Sequence, residues 1–277
     1  MAHWSIDDIR WGDFEASKTS PEIISLVKSA CMVEHNSEDY VRYLCEVFHD
    51  NPEFQNLARE WADEELQHGK ALRKWVERAD PGFDFDESFK IFTSGYSIPQ
   101  NVTESTRGSR CGELIARCVV ETGTSAYYTA IKDLTDEPVL KELCTKIASD
   151  EFRHYKLFYN YLKNYLPKEE PSLYSRVKIV IGRLIESGDD ELAYAFYAAH
   201  CTGQGYGNNI YDRKEYKKAY LSHASSIYRY NHIEKMAAMI FKAAGLKTNT
   251  WLHNISSRIA WRFLRSQARD LRLSTVK

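Results

Sequence analysis

The sequence predicts an all-α protein. Apolar residues recur at intervals of three and four, the spacing that places them on one face of an α-helix, and nothing resembles a run of strands. The seven prolines punctuate these periodic segments, as in Ser20-Pro21-Glu22 and Asp50-Asn51-Pro52, where proline suits the first turn of a helix. Helices are therefore predicted at residues 22–49, 53–79, 108–134, 138–165, 171–186, 188–204, 214–244 and 249–272.

The amino-acid composition is typical of a globular protein. Apolar residues make up 43% and charged residues 27% of the 277 positions, which excludes a disordered chain. The net charge of −2 gives no general attraction to nucleic acid. No apolar run approaches the roughly 20 residues of a membrane span, and the beginning MAHWSIDDIR lacks a signal peptide. The six scattered cysteines contain no C-x-x-C pair. We therefore expect a cytoplasmic protein without a zinc knuckle or a rubredoxin-type iron site.

The part of the chain before residue 165 contains an internal repeat. Glu34 precedes Glu65 by 31 residues, and Glu121 precedes Glu151 by 30. Residues 79–106 form the longest irregular stretch between the two halves and are typical of a crossover connection. We interpret residues 1–165 as two helical hairpins that form a four-helix bundle with an N-terminal arm, residues 1–20. Residues 166–277 are predicted to form additional helices packed on it.

Each half of the repeat ends in the same pair of metal-binding residue types. Histidine follows glutamate by three residues in DEELQH (63–68) and in DEFRH (150–154). Side chains three apart lie on one helical face, with Cβ atoms roughly 5–6 Å apart, so each pair can reach one point. Carboxylate and imidazole together suit Fe, Mn or Zn. A single E-x-x-H is usually a solvated pair, but two copies in matched halves indicate a site for two metal ions.

The remaining ligands are predicted on the partner helices. Glu121 lies in the otherwise apolar stretch LIARCVVETG, and Glu34 lies in ACMVEHN. A buried carboxylate is costly without a cation, so both are expected to bind metal, with Glu38 as a second candidate beside Glu34. The predicted ligand set is Glu34, Glu65, His68, Glu121, Glu151 and His154.

These motifs resemble those of the ferritin-like superfamily, and within it the soluble acyl-[acyl-carrier-protein] desaturases. The stretch WADEELQHG (61–69) is similar to the pattern W-x-x-E-E-x-x-H-G, ASDEFRH (148–154) to A-x-D-E-x-R-H, and ETGT (121–124) to E-x-x-T. The resemblance covers about residues 22–165. It implies a ferritin-like four-helix bundle that holds two Fe ions, with Mn/Fe as an alternative pair.

The resemblance also implies roles for residues around the metal ions. Glu64 would hold His154, and Asp150 would hold His68, because a ligating imidazole needs its second nitrogen fixed. A solvated flank is the alternative for both acids. Thr124 would bind an oxygen species or deliver protons, unless its hydroxyl bonds back to its own helix.

The activity implied by the resemblance is a non-haem di-iron oxidoreductase that uses O2 to oxidise an unactivated C–H bond of a carrier-bound or free acyl substrate. Electrons would come from a ferredoxin-like donor, because the sequence holds no flavin or iron–sulfur motif, and a homodimer is expected. One alternative is a di-iron hydroxylase or N-oxygenase on a non-acyl substrate, including a modified tRNA base. Such an N-oxygenase would need an extra histidine ligand, for which His200, His223 and His232 are candidates. Another is a ferritin-like protein that handles iron or scavenges peroxide.

The last predicted helix carries a basic stripe. Its arginines are spaced by four, three, four and three residues, which places them on one face, while Ile255, Ile259, Leu264 and Leu271 are predicted to face the protein. A solvated face is one interpretation, and a docking site for an acidic partner such as acyl carrier protein, or for RNA, is the other. The stripe consists of Arg258, Arg262, Arg265, Arg269 and Arg272.

Overall fold

A computed structural model describes residues 4–186, 191–201 and 210–274, with side chains up to Ala268. Within these ranges the structure is helical and contains no strand, which confirms the all-α prediction. Three short 3-10 turns at Ile6–Asp8, Trp11–Asp13 and Ala16–Lys18 precede the first helix. The helices are α1 (Pro21–His35), α2 (Ser37–Val47), α3 (Pro52–Ala79), α4 (Phe85–Gly95), α5 (Arg110–Leu134), α6 (Pro138–Glu169), α7 (Leu173–Glu186), α8 (Glu191–Cys201), α9 (Arg213–Ile227), α10 (Tyr230–Ala244) and α11 (Trp251–Ser274).

The helix boundaries differ from the prediction at several places, one of which is the end of α6: this helix continues through Pro167 to Glu169, whereas the prediction ended it at 165. The segment 22–49 is broken at Asn36, whose ψ of 17° lies outside the helical range. The segment 214–244 is broken at Arg229, whose backbone is extended and whose side chain donates a hydrogen bond to the Asp133 carbonyl oxygen. The stretch 79–106 is not wholly irregular, because Asp84 caps α4 by accepting a hydrogen bond from the Glu87 amide. The ends of the predicted helix 188–204 lie outside the described residues.

One compact unit of the chain is built around α3. It consists of Met1–Thr103, Leu134–Leu143 and Gly188–His223. Helices α1 and α2 pack on α3, and α8 packs on both α1 and α4. The core includes the fully buried side chains of Leu26, Phe54, Leu72 and Trp75. Burial of such side chains is the main favourable term in folding.

A second compact unit consists of Glu104–Asp133, Cys144–Ser187 and Ala224–Lys277. Helix α5 contacts α6 through the hydroxyl of Ser125, which donates to the Ala148 carbonyl oxygen at 3.1 Å. Helix α10 packs on α7 and α11, and the Tyr155 hydroxyl of α6 donates to the Met239 carbonyl oxygen of α10 at 2.9 Å. The predicted division at residue 165 stays a prediction.

The orientation of α11 differs from the prediction. Ile255 and Ile259 are exposed, whereas His253 and Ser257 are buried, so the expectation that the two isoleucines face the protein was wrong. His253 lies with Nε2 3.2 Å from the Glu234 carbonyl oxygen of α10 and with its ring against Phe241. This polar contact lies on the side of α11 that is buried against α10. The side chain of Leu271 lies outside the described residues.

None of the described helices combines the length and the apolar character that crossing a membrane requires.

A buried carboxylate that the sequence analysis did not single out joins α3 to the start of α6. Glu137 is fully buried and accepts hydrogen bonds at 2.7 Å from both the Trp75 indole Nε1 and the Leu140 amide. It also accepts a bond from the Glu15 amide of the N-terminal arm at 3.1 Å. One side chain therefore caps α6, satisfies the indole of a core tryptophan and holds the arm.

We expect Glu137→Ala to lower the free energy of unfolding by about 2–4 kcal/mol, because it leaves a buried indole N–H and several backbone amides unsatisfied. Urea unfolding followed by circular dichroism measures this change. Glu142→Ala is the matched control: Glu142 binds the largely exposed Arg10 at 3.1 Å, and exposed pairs contribute under about 1 kcal/mol. Equal losses in the two variants would contradict the role given to Glu137.

Candidate metal centre

The first of two buried ligand groups lies on α1 and α3. Glu34 stands one residue before the end of α1, and Glu65 and His68 stand one turn apart on α3. His68 is fully buried and both glutamates are at most 7% exposed. The His68 Nδ1 atom lies 3.5 Å from Glu65 Oε2 and 3.9 Å from Glu34 Oε2. We call these three residues the first triad.

The second group has the same composition and lies on α5 and α6. Glu121 comes from α5, and Glu151 and His154 stand one turn apart on α6. All three are at most 3% exposed. The His154 Nδ1 atom lies 3.6 Å from Glu121 Oε2 and 4.0 Å from Glu151 Oε2. We call these residues the second triad.

Both triads have the geometry and the chemistry of a cation site. In each one, the three ligand atoms lie within 4.8 Å of one another. Two atoms that each lie about 2.0–2.2 Å from one ion are at most roughly 4.2 Å apart, so the imidazole–carboxylate distances of 3.5–4.0 Å fit a shared ligand sphere. They exceed the length of an ordinary hydrogen bond. Burial of two carboxylates together is costly without a compensating cation. These buried Glu and His groups can therefore hold metal.

A close helix contact places Glu34. A Cβ atom at Gly69 of α3 would lie 2.5 Å from His35 Nδ1, 2.8 Å from the His35 backbone nitrogen and 3.1 Å from the carbonyl carbon of Glu34. Only glycine therefore allows the end of α1 to approach α3 this closely. The contact is strengthened by the Cys31 thiol, which donates to the Gly69 carbonyl oxygen at 3.3 Å.

The N-terminal arm covers the first triad, which the sequence analysis did not foresee. The Trp4 and His68 rings are parallel within 8°, with centroids 6.0 Å apart, and Trp4 is itself buried. Gln67 Nε2 donates to the Trp4 carbonyl oxygen at 2.9 Å and fixes the arm on α3. No motif marks this contact, because it joins two segments that are distant in sequence.

Thr124 touches a carboxylate of the second triad. Its hydroxyl lies 2.5 Å from Glu151 Oε2, 3.2 Å from the Glu121 carbonyl oxygen and 3.3 Å from the Val120 carbonyl oxygen. A hydroxyl has one proton, and the charged acceptor at the shortest distance gives the strongest bond. Thr124 thus holds its proton toward Glu151, with its own helix as the second contact. A role of Thr124 toward oxygen stays a prediction.

The two acids next to the ligand glutamates are buried. Glu64 is 7% and Asp150 is 2% exposed, so neither is the solvated flank that was the alternative. Asp150 binds Arg153 Nη2 at 2.5 Å, one turn along α6. The pairs predicted from the resemblance, Glu64 with His154 and Asp150 with His68, stay predictions.

Other candidate ligands are engaged elsewhere. The Glu38 side chain is 85% exposed and lies 3.4 Å from Arg42, so it belongs to neither triad. His200 contacts the Ser25 hydroxyl and the Phe196 carbonyl oxygen, and His223 contacts the Ala219 carbonyl oxygen. His232 accepts from the Arg229 amide and lies 3.0 Å from Asp133 Oδ2.

Two comparisons with known proteins found no match to the chain. No protein-family model matches the chain, and a search of curated proteins finds no match. The assignment of chemistry to the two triads therefore depends on their geometry and on the motifs of the sequence.

We expect Gly69→Ala to lower metal affinity about tenfold, because a methyl group there displaces Glu34. The same substitution should lower the free energy of unfolding by about 1–3 kcal/mol. Titration with Co2+, followed by its absorption spectrum, measures the affinity. Gly123→Ala on α5 is the matched control: a Cβ atom there meets nothing within 4 Å, so it should keep the affinity and raise stability by about 0.5–1 kcal/mol. Unchanged affinity in Gly69→Ala would show that the helix contact does not position Glu34.

We expect Thr124→Val to weaken metal binding by about tenfold or more, because a ligand carboxylate loses the bond that orients it. Thr124→Ser should keep most of the affinity. Thr122→Val is the control, since the Thr122 hydroxyl donates to the Cys118 carbonyl oxygen of its own helix at 2.6 Å. The same Co2+ titration distinguishes the variants, and equal behaviour of the valine substitutions at 122 and 124 would contradict a ligand-positioning role.

Proposed function

We propose that the two triads together bind two iron ions and that the chain is an O2-activating di-iron oxidoreductase of the ferritin-like, desaturase type. The observation that carries this proposal is the equality of the triads: each contains two glutamates and one histidine, and each arises from the same sequence spacing. The union of the triads in one centre is inferred from the repeat and from the resemblance to desaturases. Four glutamates and two histidines are the ligand set of ferritin-like dimetal proteins.

The donor atoms favour iron or manganese over softer metals. Oxygen and imidazole ligands suit these ions, whereas Cu(I) and structural zinc sites prefer thiolates. Burial raises the pKa of the Cys31 thiol well above its ordinary value, and burial likewise raises the pKa of the Cys118 thiol, with Glu121 adding to the shift. Neither cysteine belongs to either triad, so these groups offer only oxygen and nitrogen donor atoms.

The proposed chemistry divides between the ions and the chain. Two ferrous ions, when bound, would supply electrons and Lewis acidity for the reduction of O2. The chain would exclude water, because all six ligands are buried and Trp4 covers His68. Thr124 would hold a proton at Oγ1 beside Glu151. An external donor such as a ferredoxin would return the electrons.

The proposed substrate is an acyl chain, carrier-bound or free, with an unactivated C–H bond. It follows from the resemblance to acyl-[acyl-carrier-protein] desaturases. Hydroxylation or N-oxygenation of a different substrate, including a modified tRNA base, is the second candidate. The contacts of His200, His223 and His232 with other groups do not favour the additional histidine ligand that an N-oxygenase would use. Iron handling or peroxide scavenging is the third candidate.

We expect anaerobic titration with Fe2+ to saturate at two ions per chain, because each triad supplies ligands for one. The double variant Glu151→Ala/His154→Ala should lose at least one ion, since it removes two of the three ligands of the second triad. Asp63→Ala is the matched control, because Asp63 is exposed on the same helix as Glu65. Mass spectrometry measures the iron content of both variants. An iron content in the double variant equal to that of Asp63→Ala would refute the metal site.

Single turnover of the ferrous protein with O2, an acyl-carrier-protein substrate and reduced ferredoxin tests the reaction. A product lacking two hydrogen atoms supports desaturation, and a product with one added oxygen atom supports the hydroxylase. Uptake of many more than two iron ions per chain, with no oxidised organic product, would assign the protein to iron storage.

A further inference from the structure

Helix α11 presents large apolar side chains to solvent. Trp251 is 73%, Ile259 61% and Phe263 57% exposed, and Leu252 and Ile255 are more than 40% exposed. At about 100° per residue, these five positions fall within an arc of roughly 120° on one side of the helix. We call them the apolar stripe. Their combined exposed area is on the order of several hundred Å², the size at which such a patch usually marks an interaction site.

A basic stripe runs along one border of the apolar stripe and overlaps it at Arg262, which lies about 20° from Trp251 around the helix. Arg258, Arg262 and Arg265 are exposed, and no carboxylate of the described residues lies within ion-pair distance of any of them. The sequence from Trp251 to Ala268 contains no aspartate or glutamate, although the whole chain carries a net charge of −2. Positive charge is therefore concentrated along one edge of this helix. Arg269 and Arg272 continue the spacing, but their side chains lie outside the described residues.

Helix α7 of the same unit repeats this combination. Tyr174 is 79%, Ile185 63% and Ile181 52% exposed, and their spacing places them on one face. Lys178, exposed on the same helix, lies near that face. Both α7 and α11 pack on α10, so one compact unit carries two exposed apolar stripes with basic neighbours.

We propose that α11 binds the surface of a membrane that contains anionic lipids. The apolar stripe would enter the boundary between head groups and acyl chains, and the arginines beside it would bind phosphate groups. This is the arrangement of an interfacial helix: one basic and one apolar strip, with aromatic residues among the apolar ones. The third side of α11, where His253 and Ser257 are buried, stays attached to the protein.

Charge and shape favour a lipid surface over a protein partner. A second copy of the chain would bring like-charged arginines together in an isologous contact, which is unfavourable. An acidic protein would match the charge but would leave most of the apolar stripe uncovered unless it also had an apolar groove. A bilayer offers both chemistries along the whole length of the helix, and membrane binding of this kind requires no spanning helix.

The experiment is flotation of the full chain with vesicles. We expect binding to vesicles of phosphatidylcholine with phosphatidylglycerol at low salt, weaker binding at high salt because charge is screened, and little binding to phosphatidylcholine alone. The triple variant Arg258→Gln/Arg262→Gln/Arg265→Gln should lower the partition coefficient by about a hundredfold, since each basic residue contributes about fivefold near the surface. Replacement of Lys90, Lys214 and Lys218 by glutamine removes the same charge from exposed positions of the other unit and should leave most of the binding intact.

The apolar stripe is tested separately. Ile259→Ser/Phe263→Ser should reduce vesicle binding at least tenfold while the circular dichroism spectrum stays unchanged, because both side chains are exposed. Equal vesicle binding by this variant would show electrostatic adsorption alone and overturn the proposal. Failure of the wild-type protein to float with anionic vesicles would also overturn the proposal. In that case, a dimer in sedimentation that Phe263→Ser dissociates would assign the stripe to a second copy of the chain, and binding to polyglutamate would assign it to an acidic protein.

Discussion

The structure depends on the burial of carboxylates beside imidazoles. Each triad places two glutamates and a histidine in the interior, where like charges repel and hydration is lost. A cation removes this cost, so the buried carboxylates favour metal binding whatever family the chain resembles. Metal binding and folding are coupled at such sites, because the unfolded chain does not hold the ligands together.

The surroundings of the two triads restrain their ligands by different means. In the first, a glycine brings α1 against α3, and a tryptophan of the N-terminal arm lies over the histidine. In the second, the Thr124 hydroxyl orients Glu151. Tyr155, the residue after His154, donates a hydrogen bond to the backbone of α10. Each contact limits the motion of a ligand side chain, and such support is what makes ligand geometry reproducible.

Much of the fold and most of the candidate ligands could be predicted from the sequence. Helical spacing and proline placed most helices, and the repeated E-x-x-H motif identified residues that the structure buries together. The errors have a common cause, which is tertiary contact. Arg229 bonds Asp133 where the predicted helix is interrupted, His253 of α11 contacts the backbone of α10, and Trp4 lies over His68. None of these pairs is close in sequence, so no local pattern encodes them.

The residue after each triad histidine differs between the halves of the repeat. Gly69 permits a backbone contact that no side chain would allow, whereas Tyr155 fills the equivalent position and bonds to Met239. The two halves of the repeat therefore contact different neighbours. A chain that contained two copies of either half would lose one of these contacts, so the halves are not interchangeable.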